Sequence, residues 1–285
     1  MTRIGVWQGP CAIDPASNFS VAERAVSDAE RADCSFVCLP ECFLTSCSDP
    51  EVVRRNAFSV DDERLASLAR RAGKANVTLL VGFAERRAEC LYNTQAVLVD
   101  GRVVGSYSKI MLSTADRELL RFTPGARLPV FESQGIRFGI QICHDSRFPE
   151  IAASMEAQGA RILFSPHFNL IGPARVDAHI RRARAAHVGL ASLYGMIVAR
   201  SNIVAADDFL GRLGYGDSAI FDPLGTSLAE AGLFTEGLLT ADVTPWLESE
   251  SVRVRHELPS ALIEQSASLV LNALTANREV TDGQK

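Results

Sequence analysis

Residues 139–150 read GIQICHDSRFPE, and the interpretation of this stretch decides what kind of fold the chain adopts. Gly139, Ile140, Gln141 and Ile142 alternate in polarity and include β-branched side chains, as a strand does. Pro149 and Glu150 suit the first turn of a helix. Cys143 therefore stands on a tight turn between a strand and a helix. Such a turn lifts a side chain out of the sheet and leaves backbone N–H groups free to bind an anion, which suits a nucleophile whose attack creates an oxyanion. A free cysteine is also a common small buried hydrophobe. On this stretch alone the two readings stand even.

Working outward, residues 34–39 form an apolar strand that ends in Pro40-Glu41, followed by Cys42-Phe43-Leu44-Thr45, so an acid stands at another strand end. Residues 102–110 follow an Asp100-Gly101 turn and deliver Lys109 among apolar neighbours. Between Lys109 and Cys143 lies Glu118-Leu119-Leu120-Arg121-Phe122-Thr123-Pro124-Gly125.

In these segments the chain resembles the carbon–nitrogen hydrolases of the nitrilase superfamily. Their Glu–Lys–Cys set occurs in this order, in the contexts "PE-x-F/L", "Y-x-K" and "C-x-D-x-R-F-P-E", matched here by Glu41, Lys109 and Cys143. Glu118, seven residues before Gly125, matches the second glutamate of the family's "E…PG" segment. The resemblance runs from the opening Ile4-Gly5-Val6-Trp7-Gln8 to residues 216–225, and Tyr92-Asn93-Thr94 sits where the family has "YNT". One departure stands at 187–188, where His187-Val188 replaces the usual Glu/Asp-Asn after Arg182-Ala183. The fold this implies is α/β, a four-layer α-β-β-α sandwich with two mixed β-sheets. Periodicity by itself supports only α/β.

The bulk properties fit that class. The chain has 285 residues, 47% hydrophobic and 22% charged, enough for a full core in one domain spanning 1–285. Its net charge of −5 argues against a nucleic-acid partner, and Arg181, Arg182 and Arg184 read as the solvated side of one helix. No apolar run reaches the roughly 18 residues of a membrane span, and the amino terminus is too short in apolar residues for a signal peptide. Seven cysteines in no small-scaffold spacing fit reduced thiols in a cytoplasm. Cys34, Cys38 and Cys42 recur every four residues, but no second Cys or His pair follows, so packing explains them better than a metal site.

Along the chain, strands are expected at 3–8, 34–39, 77–83, 92–99, 102–108, 136–142, 162–165, 196–202, 218–221 and 238–242. Helices are expected at 18–32, from 61 to a close at Gly73, at 148–158, at 175–193 and at 259–277. In the resembled family, a tail such as 250–285 packs across a dimer, which implies a homodimer or higher homo-oligomer.

The chemistry implied by the resemblance needs no metal or organic cofactor. Glu41 serves as general base and acid and Cys143 as nucleophile. Lys109 with the His144 backbone N–H receives the oxyanion, and Glu118 holds Lys109. His144, His167 and Asn169 are the expected substrate-binding residues, the last two because Ser165-Pro166-His167-Phe168-Asn169 ends at the same sheet edge as Cys143. A Cys143–His144 dyad is not expected, since adjacent side chains near a strand end diverge. Asp145 and Arg147 are expected to pair and brace the turn, and His179, His187 and His256 to be surface or satisfied core residues. His144-Asp145 after the nucleophile looks like the family's amidase branches, where true nitrilases tend to have Trp-Glu. A small linear amide is therefore the expected substrate. A carbamoyl compound or nitrile, acyl transfer from the same thioester, and a non-catalytic interaction protein are the alternatives.

Overall fold

The strand Phe36–Cys38 is buried along its whole length, so each of its faces needs a cover. Its alternation divides the protein. Phe36 and Cys38 belong to one apolar cluster, and Val37 and Leu39 to another. The computed structural model describes residues 1–205 and 211–249. The tail 250–285 and the helix expected at 259–277 lie outside the described residues.

The first sheet has the order Gly237–Asp242, Arg3–Gln8, Phe36–Cys38, Thr78–Arg87, Cys90–Val99, Arg102–Ser108. Parallel pairing at its centre gives way to antiparallel strands at both sides. The second sheet runs Ser227–Glu230, Ala219–Phe221, Ile197–Ser201, Ile162–Pro166, Ile136–Ile140, Phe131–Ser133, and is mixed in the same way. The sheets meet face to face. Phe36 packs against Phe138 and Phe164 at centroid separations of 5.5 and 6.2 Å.

Helices cover the outer faces. Pro15–Arg31 and Glu63–Lys74 present Ala22, Ala25, Val26 and Ala29, and Leu65, Leu68, Ala69 and Ala72, to the first sheet. Pro149–Ala157 and Val176–Tyr194 close the second sheet with Ile151, Ala152, Met155, Leu190 and Ala191. The result is the expected four-layer α-β-β-α sandwich with two mixed sheets. Each layer exists because its neighbour has an apolar face to bury.

Several expectations need adjustment. Gly73 does not close its helix, which continues to Lys74; a Cβ at Gly73 would lie 2.3 Å from the Gly101 nitrogen, so glycine is there to let the hairpin turn approach. That turn is as expected, with positive φ at both Asp100 and Gly101 (49° and 78°). The short helix Pro50–Asn56 was not legible, because its seven residues span only two turns, nor was a small third sheet of Leu170–Ile171, Val204–Ala205 and Leu213–Tyr215, because two or three residues carry no period. Cys34, Cys38 and Cys42 fall in three separate apolar clusters. Among the described residues, no helix is long and apolar enough to cross a membrane.

Gly82 shows how tightly the sheet holds the loop after Phe36–Cys38. A Cβ there would stand 2.5 Å from the Cys42 nitrogen and 2.6 Å from the Pro40 oxygen, both backbone atoms flanking Glu41. Gly82→Ala is therefore expected to destabilise the protein by about 1–3 kcal/mol, the usual range for overpacking. Urea unfolding of the two proteins measures it, and an unchanged midpoint would show that the loop yields freely.

Candidate active site

Three strand ends deliver the charged centre. Glu41 follows the strand Phe36–Cys38, Lys109 follows Arg102–Ser108, and Cys143 follows Ile136–Ile140 by three residues. Glu41 and Lys109 are 3% and 2% exposed, and Lys109 Nζ donates to Glu41 Oε1 at 2.7 Å. Asn93 Nδ2 donates to the same oxygen at 2.7 Å, and the Phe168 N–H donates to Glu41 Oε2 at 2.8 Å. Buried ions persist only with such full pairing.

The second carboxylate on Lys109 belongs to Asp116, 2.9 Å from Nζ, and not to Glu118. Glu118 is exposed. Both lie on one π-helical turn, Ala115–Leu119, where residues two apart point to opposite sides. Ser113 fixes Asp116 by donating from its backbone N–H and its hydroxyl, at 2.8 and 2.7 Å. The spacing Ser113-x-x-Asp116, a side chain bonding back to a turn, was the available signal for this residue.

Cys143 adopts φ +49°, a left-handed conformation uncommon for a side chain with a Cβ. Asp145 sustains it. Its carboxylate accepts from the Ile142 and Met111 N–H groups at 2.8 Å each and from the Tyr107 hydroxyl at 2.7 Å. These bonds tie the nucleophile's turn to the segment bearing Lys109. They replace the expected Asp145–Arg147 pair, for Arg147 is exposed. Burial pushes Asp145 up to about 6, against the opposing pull of Lys109 and these donors.

Electrostatics set the resting state. Burial works against a charge on Lys109, but Glu41 and Asp116 outweigh it and hold its ammonium protonated. Burial and then the Glu41 charge push the Cys143 thiol up, against the pull of Lys109, so sulfur rests as the neutral thiol.

Cys143 opens on a small cleft of about 100 Å³ that His144, Ser146, Arg147, His167, Asn169, His179 and Arg182 help to line. The expected substrate-binding residues His144, His167 and Asn169 thus share one cleft with the thiol. His179, expected to be a surface or satisfied core residue, instead lines the cleft, with its Nδ1 2.8 Å from the Tyr215 hydroxyl. His187 is a satisfied core residue as expected, with Nδ1 2.6 Å from the Ala183 carbonyl. That carbonyl can only accept, so the His187 proton is on Nδ1 and its Nε2 is an acceptor. Ser165 Oγ and His167 Nε2 lie 3.0 and 3.2 Å from it. His256 lies outside the described residues.

The model of the carbon–nitrogen hydrolase family matches residues 3–248. The chain belongs to the carbon–nitrogen hydrolase family. A deaminated glutathione amidase of Escherichia coli O157:H7 is 31% identical over 249 residues, 85% of this chain and 89% of the relative. The human omega-amidase NIT2 is 29% identical over 239 residues, 80% and 83% of the two chains. The crystal structure of a carbon–nitrogen hydrolase from Helicobacter pylori G27 superposes with a TM-score of 0.76 at 23% identity, covering 92% of this chain and 97% of that one. As a carbon–nitrogen hydrolase with amidase-type relatives, the chain is a hydrolase of the nitrilase superfamily, on the four-layer fold already described.

Two predictions follow from this geometry. Asp116→Asn, which removes a buried charge from Lys109, is expected to lower turnover about tenfold or more, whereas Glu118→Ala leaves it unchanged. Steady-state rates of both variants check the assignment. The second concerns acid stability. Burial, then Arg200, depresses His187 to about 3, below the 6.5 of an unfolded histidine. The unfolded chain therefore binds the extra proton first, and this contribution, complete above pH 6.5, is lost as pH falls toward 3. Asp145 acts in the opposite sense, its contribution being lost as pH rises through about 6. The difference in unfolding free energy between wild type and His187→Asn should shrink from pH 7 to pH 4; a constant difference would contradict the assignment.

Proposed function

We propose that this protein is a cysteine-dependent amidase that hydrolyses a small linear amide to a carboxylic acid and ammonia through a thioester. The observation that carries the reading is the buried Lys109–Glu41 pair, 2.7 Å apart, within electrostatic reach of the Cys143 thiol. A neutral thiol beside a carboxylate and an ammonium suits general-base activation with an oxyanion binder already charged.

In this scheme Glu41 takes the thiol proton as Cys143 Sγ bonds to the amide carbon. The charge that develops on oxygen is met by the Lys109 ammonium and the His144 backbone N–H. Glu41 returns the proton to the leaving nitrogen, the C–N bond breaks, and ammonia departs. Water then gives a proton to Glu41 and attacks the thioester, the acid leaves, and the proton returns to sulfur. Asp116, taking the place expected of Glu118, keeps Lys109 charged throughout.

The cleft supports a small substrate with an anionic far end. Arg147 and Arg182 line it and, among the described residues, no carboxylate does, while His144 and His179 are held neutral there, first by burial and then by neighbouring cations. The relatives named as a deaminated glutathione amidase and an omega-amidase are consistent with carboxylate-bearing amides. The same reading includes a cytoplasmic enzyme that works as a homodimer or larger homo-oligomer, with no nucleic-acid or membrane partner.

Ammonia release across ω-amides of dicarboxylic acids, uncharged aliphatic amides, N-carbamoyl compounds and nitriles tests the proposal. The ω-amides should react fastest, and Cys143→Ala should fold but be inactive. An active Cys143→Ala protein refutes the mechanism. A preference for carbamoyl compounds or nitriles refutes the substrate class, and thioester consumed faster by an added amine than by water would show acyl transfer.

A further inference from the structure

The charged centre carries an imbalance. Glu41 and Asp116 flank a single ammonium, so the trio has a net charge of −1 before sulfur ionises. When Glu41 takes the thiol proton, its negative charge moves to the sulfur, so the centre stays at −1 and Asp116 still opposes the thiolate. Lys109 already spends two of its three N–H groups on those carboxylates. Help for the sulfur has to come from elsewhere.

It comes from Asn169. Asn169 is 5% exposed, and its Nδ2 lies 3.4 Å from Cys143 Sγ. Which end of an amide faces a neighbour is normally ambiguous, but here chemistry decides it. Arg200 Nη2 stands 3.0 Å from Asn169 Oδ1, and a guanidinium can only donate, so the oxygen must face Arg200 and the N–H must face sulfur. The Tyr215 hydroxyl donates to the same oxygen at 3.2 Å. The Asn169 backbone N–H donates to Asn202 Oδ1 at 3.1 Å, which holds the residue from its main chain as well. Arg200 is itself fully buried and held by the Gly216 and Asp217 carbonyls, with the Asp217 carboxylate at 3.7 Å.

We infer that Asn169 is a catalytic residue that donates a hydrogen bond to the ionising Cys143 sulfur, and that Arg200 is a positioning residue that fixes the orientation of that amide. The cation polarises the Asn169 amide toward sulfur, so the nucleophile gains a donor besides Lys109. Asn169 thus serves the nucleophile in place of, or before, the substrate contact expected of it. The inference rests on the cysteine mechanism proposed above, but its test does not need turnover.

The test is alkylation of Cys143 by iodoacetamide between pH 6 and 10, followed by mass spectrometry of the peptide that contains it. Wild type is compared with Asn169→Leu and with the isosteric Asn169→Asp, each shown to be folded by near-ultraviolet circular dichroism. Loss of one hydrogen bond to a charged group should slow alkylation about ten- to a hundredfold in Asn169→Leu. Asn169→Asp, which turns a carboxylate oxygen toward sulfur, should be slower still. With an amide substrate kcat should fall by a similar factor while KM changes little. Alkylation at the wild-type rate in either folded variant overturns the inference, and a rise in KM alone assigns Asn169 to substrate binding. If wild type turns over no amide, the function proposal fails, while the alkylation comparison still decides the role of Asn169.

Discussion

The buried ammonium of Lys109, held between Glu41 and Asp116, is the constraint on which the rest depends. Moving such ions out of water costs several kcal/mol each, and only close pairing with further hydrogen bonds offsets it. The two carboxylates take theirs from Asn93, the Phe168 backbone and Ser113, so five separate segments must converge within about 3 Å. Stacking two sheets makes that convergence possible. Strand ends from both open at one edge, and the layers behind them keep water out.

Close backbone approach and strain are the local consequences. Cys42, the residue after Glu41, and Cys143 both have positive φ, at 48° and 49°. Such geometry persists only where the surroundings over-determine it. Asp145 is that restraint at the nucleophile, joining Tyr107, Met111 and Ile142 through one carboxylate. Gly82 and Gly125 supply room, since Cβ atoms there would lie 2.5 Å from the Cys42 nitrogen and 2.1 Å from the Ser108 oxygen.

The cleft onto which Cys143 opens is of different character. His167 and Asn169, just past Ile162–Pro166, and His179 and Arg182 of the helix Val176–Tyr194 line it together with His144 and Arg147 of the nucleophile's turn, so its polar groups are imidazoles, an amide and arginines. The buried pair Glu41 and Lys109 supplies the proton-transfer chemistry, and these groups supply orientation and positive potential.

Much of the fold was written locally in the sequence. Alternation in Arg3–Gln8, the helical period of Pro15–Arg31 and the Asp100-Gly101 turn are properties of consecutive residues, and motif order placed Glu41, Lys109 and Cys143 at strand ends. The choice between Asp116 and Glu118 was not so written. Both acids have the right chemistry, and only the phase of the π-helical turn turns one toward Lys109 and the other to solvent. Likewise Arg200 reads as any arginine on a strand, and Asn169, expected to touch substrate, gives no sign of its partner, until two neighbouring strands of the second sheet bring them 3.0 Å apart. Sequence by itself determined which elements form and which reactive groups stand at their ends. Tertiary structure decided which groups meet, because hydrogen bonds and buried charges act over a few ångströms between residues tens of positions apart, and local pattern carries no record of those distances.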